Sequence, residues 1–168
     1  CLIGHRGVGG LAPGTPASPG ADMRGSIGTM PENTMSAYRQ AFRMGVRVFE
    51  IDVWTVGGYI MHDQDPRRVC TAAVATDITA LTLAQFKALS VNASTWLGPG
   101  YADEAPPTLR EVLAEFGNQA LLICEAKDAG GGLAIAAGFA EFNIAKDMGM
   151  CGSFTASYYA AVRAAGYS

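Results

Sequence analysis

Apolar and polar positions follow two periods along this chain. Short continuous apolar runs predict buried strands over residues 2–6, 46–54, 59–62, 119–127 and 150–154. Between them, apolar residues recur at helical spacing. Residues 34–44 carry Tyr38, Ala41 and Phe42 and stop at Gly45, and residues 108–116 place Leu109, Val112, Leu113 and Phe116 on one face. Residues 81–91 follow the same logic. Residues 133–148 read as a long Ala-rich helix, and 155–165 as a last one with Thr155 as its N-cap. Strand–helix alternation of this kind predicts an α/β fold with a largely parallel sheet. The second and fourth strands are apolar on both faces except towards their C-terminal ends, where Glu50, Asp52, Glu125 and Lys127 appear. Those ends are where α/β folds carry their sites.

One stretch has no period. Nine of the 23 residues in 8–30 are Gly or Pro, which predicts a long loop at a strand–helix junction. The chain as a whole has 168 residues, 49% of them hydrophobic and 16% charged. That is enough apolar material for one packed domain and too much for a disordered chain. A net charge of -3 and a pI near 5.3 argue against a nucleic-acid partner held on a basic face. No run reaches the ~20 apolar residues of a transmembrane segment, and no leader pattern stands at the start. Cys1, Cys70, Cys124 and Cys151 are widely spaced with no C-x-x-C pair, so free, buried thiols are expected. That expectation leans towards a cytoplasmic protein.

The candidate chemistry lies at the strand ends. Residues two apart on a strand share a face, so Glu50 and Asp52 project together while Phe49 and Ile51 point away. Adjacent carboxylates resist burial unless a proton or cation compensates them, and clustered oxygen ligands suit Mg²⁺ or Ca²⁺ better than zinc. A solvated strand end is the alternative. Glu125 would add a third carboxylate if the two strands line one crevice, and Lys127 reads as an exposed point charge able to hold a phosphate oxygen. A simple strand-end salt bridge explains that pair equally well. The two histidines, His5 and His62, both end predicted strands, which favours acid–base chemistry over a structural role. Arg6 and Gly7 beside His5 suit an anionic phosphate. Asp63 is adjacent to His62, although neighbours on a strand face opposite ways. In Pro31-Glu32-Asn33-Thr34, ordinary helix-start chemistry accounts for the proline and for Asn33 or Thr34 as N-cap.

Taken in order, His5-Arg6-Gly7, Pro31-Glu32-Asn33-Thr34, Glu50-Ile51-Asp52, His62-Asp63 and Glu125-Ala126-Lys127 resemble the glycerophosphodiester phosphodiesterase family. The resemblance implies a TIM (β/α)8 barrel with its site at the C-terminal ends of the strands. It implies one divalent cation, Mg²⁺ or Ca²⁺, held by residues matching Glu50, Asp52 and Glu125. His5 and His62 would be general acid and base, Arg6 and Lys127 would contact the phosphate, and Glu32 would line the pocket. The reaction implied is hydrolysis of a small-molecule glycerophosphodiester to sn-glycerol 3-phosphate and an alcohol.

Three features depart from that pattern. The 8–30 loop is longer than the family's usual connection and is expected to reshape or cover the substrate pocket. The stretch after His62-Asp63 matches loosely, which leaves leaving-group selectivity open. An eight-stranded barrel of about 250 residues needs three more strand–helix units. The expectation is therefore an incomplete barrel of about five units, with residues 1–168 as a partial domain of a longer polypeptide, poorly soluble or inactive alone. Two other readings stay open: a lipid phosphodiesterase resembling phospholipase D or sphingomyelinase D, and a catalytically inactive truncated relative. The roles of the two histidines, the choice of Mg²⁺ or Ca²⁺ and the oligomeric state are also open.

Overall fold

The computed structural model describes residues 3–7, 9–10, 30–70 and 73–168. Cys1, Leu2 and most of the predicted 8–30 loop lie outside the described residues. Among the described residues, the strands are β1 (Gly9–Gly10), β2 (Met30–Pro31), β3 (Val48–Trp54), β4 (Tyr59–Ile60), β5 (Leu121–Ala126) and β6 (Gly149–Gly152). The helices are α1 (Met35–Arg43), α2 (Leu83–Lys87), α3 (Ala93–Trp96), α4 (Leu109–Phe116), α5 (Ala129–Glu141) and α6 (Ala160–Ala164). The main sheet has the order β4-β3-β5-β6. Strands β3, β5 and β6 run parallel, in a register that sets Asp52 beside Glu125 and Cys124 beside Cys151.

Alternation along β3 and β5 decides which side is packed. Phe49, Ile51, Val53, Leu122, Cys124 and Ala126 are fully buried under Tyr38 of α1, Val112 and Phe116 of α4, and Ile135 and Phe139 of α5. Phe49 meets Phe116 edge-on at 5.3 Å and Tyr38 at 5.6 Å. Such ring pairs contribute about 0.5–1.5 kcal/mol each beyond the area they bury, and here they tie α1 and α4 to the central strand. The opposite face carries Glu50, Asp52, Ile123 and Glu125.

Several elements depart from the sequence-based expectation. Among the described residues, the predicted first strand shows one parallel bridge, between Gly4 and Phe49, after which residues 5–7 turn, with the Gly7 N–H donating to the Gly4 carbonyl at 3.2 Å. Only glycine fits at position 7. Its φ is +77°, and a Cβ there would lie 2.8 Å from the Ala37 carbonyl carbon. The run 59–62 adds no parallel strand, because β4 returns antiparallel against the end of β3, pairing Val53 with Ile60. A four-residue turn, Thr55 to Gly58, is far too short for a parallel crossover.

Helix α5 begins four residues before the predicted start and ends seven before the predicted end. Asp128 caps it, its carboxylate accepting from the Gly131 N–H at 2.6 Å. Three glycines open this helix, which hides it from propensity, and packing explains them. A Cβ on Gly132 would fall 1.6 Å from the Tyr158 carbonyl oxygen. The last predicted helix splits into a 3₁₀ turn, Ala156–Tyr159, and α6, and the Thr155 side chain makes no capping bond. Cys70 and Cys124 are free and buried, whereas Cys151 is free and only partly covered. Burial pushes the Cys70 thiol up to about 12 and the Cys151 thiol up to about 11.

Candidate active site

The parallel register of β3 and β5 builds the centre of the site. Carboxylate oxygens of Glu50, Asp52 and Glu125 all lie within 4.8 Å of one another. Asp52 is completely buried, while Glu50 and Glu125 are partly covered. Burial, and then the Asp52 charge, push the Glu50 carboxyl up to about 7. Lys127 is not the exposed charge expected from the sequence. Its ammonium stands 2.8 Å from Asp52 Oδ1 and 2.8 Å from Glu125 Oε2, and its side chain is 12% exposed. Burial alone would lower the Lys127 pKa, but the charges and hydrogen bonds of Asp52 and Glu125 together outweigh it and the net shift is upward.

The bridge at Gly4 carries His5 and Arg6 to the same edge. The Gly4 N–H donates to the Val48 carbonyl at 2.8 Å, and the Glu50 N–H donates to the Gly4 carbonyl at 3.1 Å. The Arg6 N–H then donates to Glu50 Oε2 at 3.0 Å. His5 Nε2 lies 3.9 Å from that oxygen, with a largely exposed ring. Burial, then the Arg6 charge, lower the His5 pKa, so its imidazole is neutral near pH 7. Arg6 adopts φ 51°, left-handed backbone that costs a bulky residue on the order of 1–3 kcal/mol. The bonds on both sides of this turn hold it there, since the Arg6 carbonyl also accepts from the Asn33 N–H at 3.1 Å.

Thr34 is the N-cap of α1, its hydroxyl accepting from the Ala37 N–H at 3.2 Å. That leaves Asn33 for another role, one the sequence concealed behind its plausibility as a cap. Asn33 Nδ2 donates to Asp52 Oδ2 at 2.8 Å, and its Oδ1 accepts from the buried Tyr38 hydroxyl at 2.9 Å. The tyrosine therefore fixes which way the amide points. Glu32 is 2% exposed and receives two guanidinium groups. Arg6 Nη1 donates to its Oε1 at 3.1 Å, and Arg68 donates to both oxygens, at 2.6 and 2.9 Å.

His62 and Asp63 do meet, contrary to the strand-based expectation. The strand ends at Ile60, and in the bend that follows His62 Nδ1 lies 2.6 Å from Asp63 Oδ1. The other carboxylate oxygen, Oδ2, accepts from Arg68 Nε. Burial works to raise the Asp63 pKa, but the His62 and Arg68 hydrogen bonds together hold it well below the usual carboxylate range. All eight candidate residues thus gather at one end of the sheet: His5, Arg6, Glu32, Glu50, Asp52, His62, Glu125 and Lys127. A cavity of about 300 Å³ beside them is lined by Glu50, Ile123, Glu125, Gly152, Ser153 and Phe154. Asn33, Tyr38, Asp63 and Arg68 complete the group.

The donor set fits a hard divalent cation. It is all oxygen, it converges within one ion's reach, and its charge exceeds what one lysine balances. The chain also resembles known proteins. It is 37% identical over 103 residues to human Glycerophosphodiester phosphodiesterase 1, a match covering 60% of this chain and 30% of that protein. A phosphodiesterase from Oleispira antarctica, solved in complex with the product sn-glycerol-3-phosphate, superposes with a TM-score of 0.69 and 25% identity over 96% of this chain and 60% of that one. A glycerophosphodiester phosphodiesterase from Agrobacterium tumefaciens superposes with a TM-score of 0.68 and 19% identity, covering 98% and 61%. The chain therefore spans under a third of the human protein's length and about three fifths of each solved structure. Its parallel strands and packed helices form an arc of the barrel these structures share. The family profile described as Glycerophosphoryl diester phosphodiesterase family matches residues 5–129 of the 168; the chain belongs to that family.

Proposed function

We propose that this chain carries the working site of a glycerophosphodiester phosphodiesterase, which hydrolyses a glycerophosphodiester to sn-glycerol 3-phosphate and an alcohol. One observation carries the reading. Three carboxylates, two histidines and an arginine converge at the same sheet end in a chain of this family. Glu50, Asp52 and Glu125 would hold a divalent cation, Mg²⁺ or Ca²⁺, whose charge would offset that of the phosphodiester and of its transition state. Arg6 and Lys127 supply further positive charge for the phosphate oxygens. Glu32 holds the Arg6 guanidinium in place.

The histidines handle the protons. Water attacks phosphorus and gives a proton to one imidazole, and the P–O bond to the alcohol breaks as the other imidazole protonates the departing oxygen. His62 has one nitrogen committed to Asp63 and the other free for this exchange. The His5 ring is largely exposed at the same sheet end, within reach of a bound substrate.

The test is release of glycerol 3-phosphate from glycerophosphocholine, with and without added Mg²⁺ or Ca²⁺, beside His5→Ala and His62→Ala. Turnover that needs the metal and both histidines supports the reading. Lysophospholipid in a parallel assay addresses the lipid-directed alternative. Turnover untouched by His5→Ala and His62→Ala would overturn the assignment of these residues.

A further inference from the structure

Two adjacent arginines, Arg67 and Arg68, follow the His62-Asp63 pair, and the structure separates them sharply. Arg67 is exposed and, among the described residues, pairs with Asp65 alone. Arg68 has a side chain that is 15% exposed and uses three nitrogens on two carboxylates. Its Nη1 and Nη2 fork onto Glu32 at 2.9 and 2.6 Å, and its Nε donates to Asp63 Oδ2. Glu32 also holds Arg6, and Asp63 also holds His62. The guanidinium thus stands at the middle of a continuous chain, Arg6–Glu32–Arg68–Asp63–His62.

We propose that Arg68 is a positioning residue that locks Asp63 onto His62 and Glu32 onto Arg6, so that one planar fork sets the imidazole and the phosphate-facing guanidinium as a single unit. The proposal rests on the reading of His62 and Arg6 given above. An ionised carboxylate only accepts hydrogen bonds. With Arg68 holding Asp63 in that form, the 2.6 Å contact requires the proton of the neutral ring to sit on His62 Nδ1. The lone pair is then on Nε2, the atom left free to exchange a proton with substrate. A lysine could hold one of the two carboxylates, but its point charge lacks the fork that grips both.

The experiment compares wild type with Arg68→Lys, Arg68→Met and, as a control, Arg67→Met. Each is first checked for fold by circular dichroism and thermal unfolding. The first readout is the ¹⁵N spectrum of the His62 ring at alkaline pH, which reports the tautomer without any turnover. Wild type and Arg67→Met are expected to show the Nδ1–H tautomer. Arg68→Met is expected to show a mixture with the Nε2–H form, and Arg68→Lys an intermediate.

The second readout is the split between kcat and KM on glycerophosphocholine. Misplacing His62 lowers kcat, on the order of 10²-fold for an ångström-scale shift, and freeing Arg6 raises KM. A merely structural role would reduce the folded fraction and leave KM and the tautomer alone. A folded Arg68→Met with the wild-type tautomer would overturn the proposal. The expected tautomer change without phosphodiesterase turnover in any variant, wild type included, would support the Arg68 relay and count against the functional reading instead.

Discussion

Asp52 and Glu125 face each other across the parallel register of β3 and β5, and a single ammonium, Lys127 Nζ, stands 2.8 Å from a carboxylate oxygen of each. With Glu50 beside them, the three acids are met by Lys127 and by Arg6, whose Nε lies 3.7 Å from Asp52 Oδ2. Lys127 therefore occupies, in charge if not in chemistry, part of the role a divalent cation would take.

Removing that lysine tests the arrangement without any assay of turnover. Breaking a buried pair by deleting one partner costs about 3–5 kcal/mol, so Lys127→Met in EDTA should melt well below wild type. Adding millimolar Mg²⁺ or Ca²⁺ should restore much of the loss, because ligand binding to the folded state alone stabilises it. The rise in Tm on adding the cation is therefore expected to be larger in Lys127→Met than in wild type. An equal or smaller rise would mean that the three carboxylates do not hold the ion.

The Glu50 carboxyl predicts how stability depends on pH. Folding raises its pKa from 4.5 to about 7, so between those values the folded protein binds more protons than the unfolded chain. Its contribution to stability is complete below about 4.5 and is lost as pH rises through about 7. In EDTA, urea midpoints should fall over this window in wild type, and the fall should be shallower in Glu50→Gln. Apparent cation affinity should move the other way, rising with pH up to about 7 as the proton ceases to compete. Parallel stability profiles for the two proteins would refute this account.

Tyr38→Phe isolates one hydroxyl. It leaves the buried Asn33 Oδ1 without the donor at 2.9 Å, at a cost of about 1–3 kcal/mol, and frees the amide that donates to Asp52. Chemical denaturation should register the loss of stability. Isothermal titration should show weaker cation binding, because Asp52 loses a fixed neighbour. Unchanged denaturation and binding would show that Asn33 needs no anchor.

Gly132→Ala tests the docking of α5. The new Cβ would fall 1.6 Å from the Tyr158 carbonyl oxygen, which forces helix and 3₁₀ turn apart. A loss of about 3 kcal/mol is expected. Gly100→Ala, where nothing lies within 4 Å of the new carbon, should stay within about 0.5 kcal/mol of wild type. Comparable urea midpoints for the two variants would contradict the close approach.

The sequence by itself determined the β3 and β5 strands, helices α1 and α4, and the candidate residues from His5 to Lys127 that gather at one end of the sheet. The reason is local. Period-2 alternation commits Glu50 and Asp52 to one face and Phe49 and Ile51 to the other, and capping residues such as Thr34 and Thr108 announce their helices. The apolar run 59–62 reads in sequence as a further strand of a parallel sheet, whereas it returns antiparallel against the end of β3. Only the tertiary structure decided the rest. Register between β3 and β5 puts Asp52 opposite Glu125, and no residue in either strand encodes that pairing alone. Helix α5 carries three glycines in its first turn because neighbouring backbone needs their space, a constraint 26 residues away for Gly132 and Tyr158. Arg67 and Arg68 are the same residue type side by side, and only burial against Glu32 and Asp63 makes one of them part of the site. Side-chain identity and periodicity are written residue by residue along the chain. Register, close approach and the partners of a buried charge arise where distant segments meet.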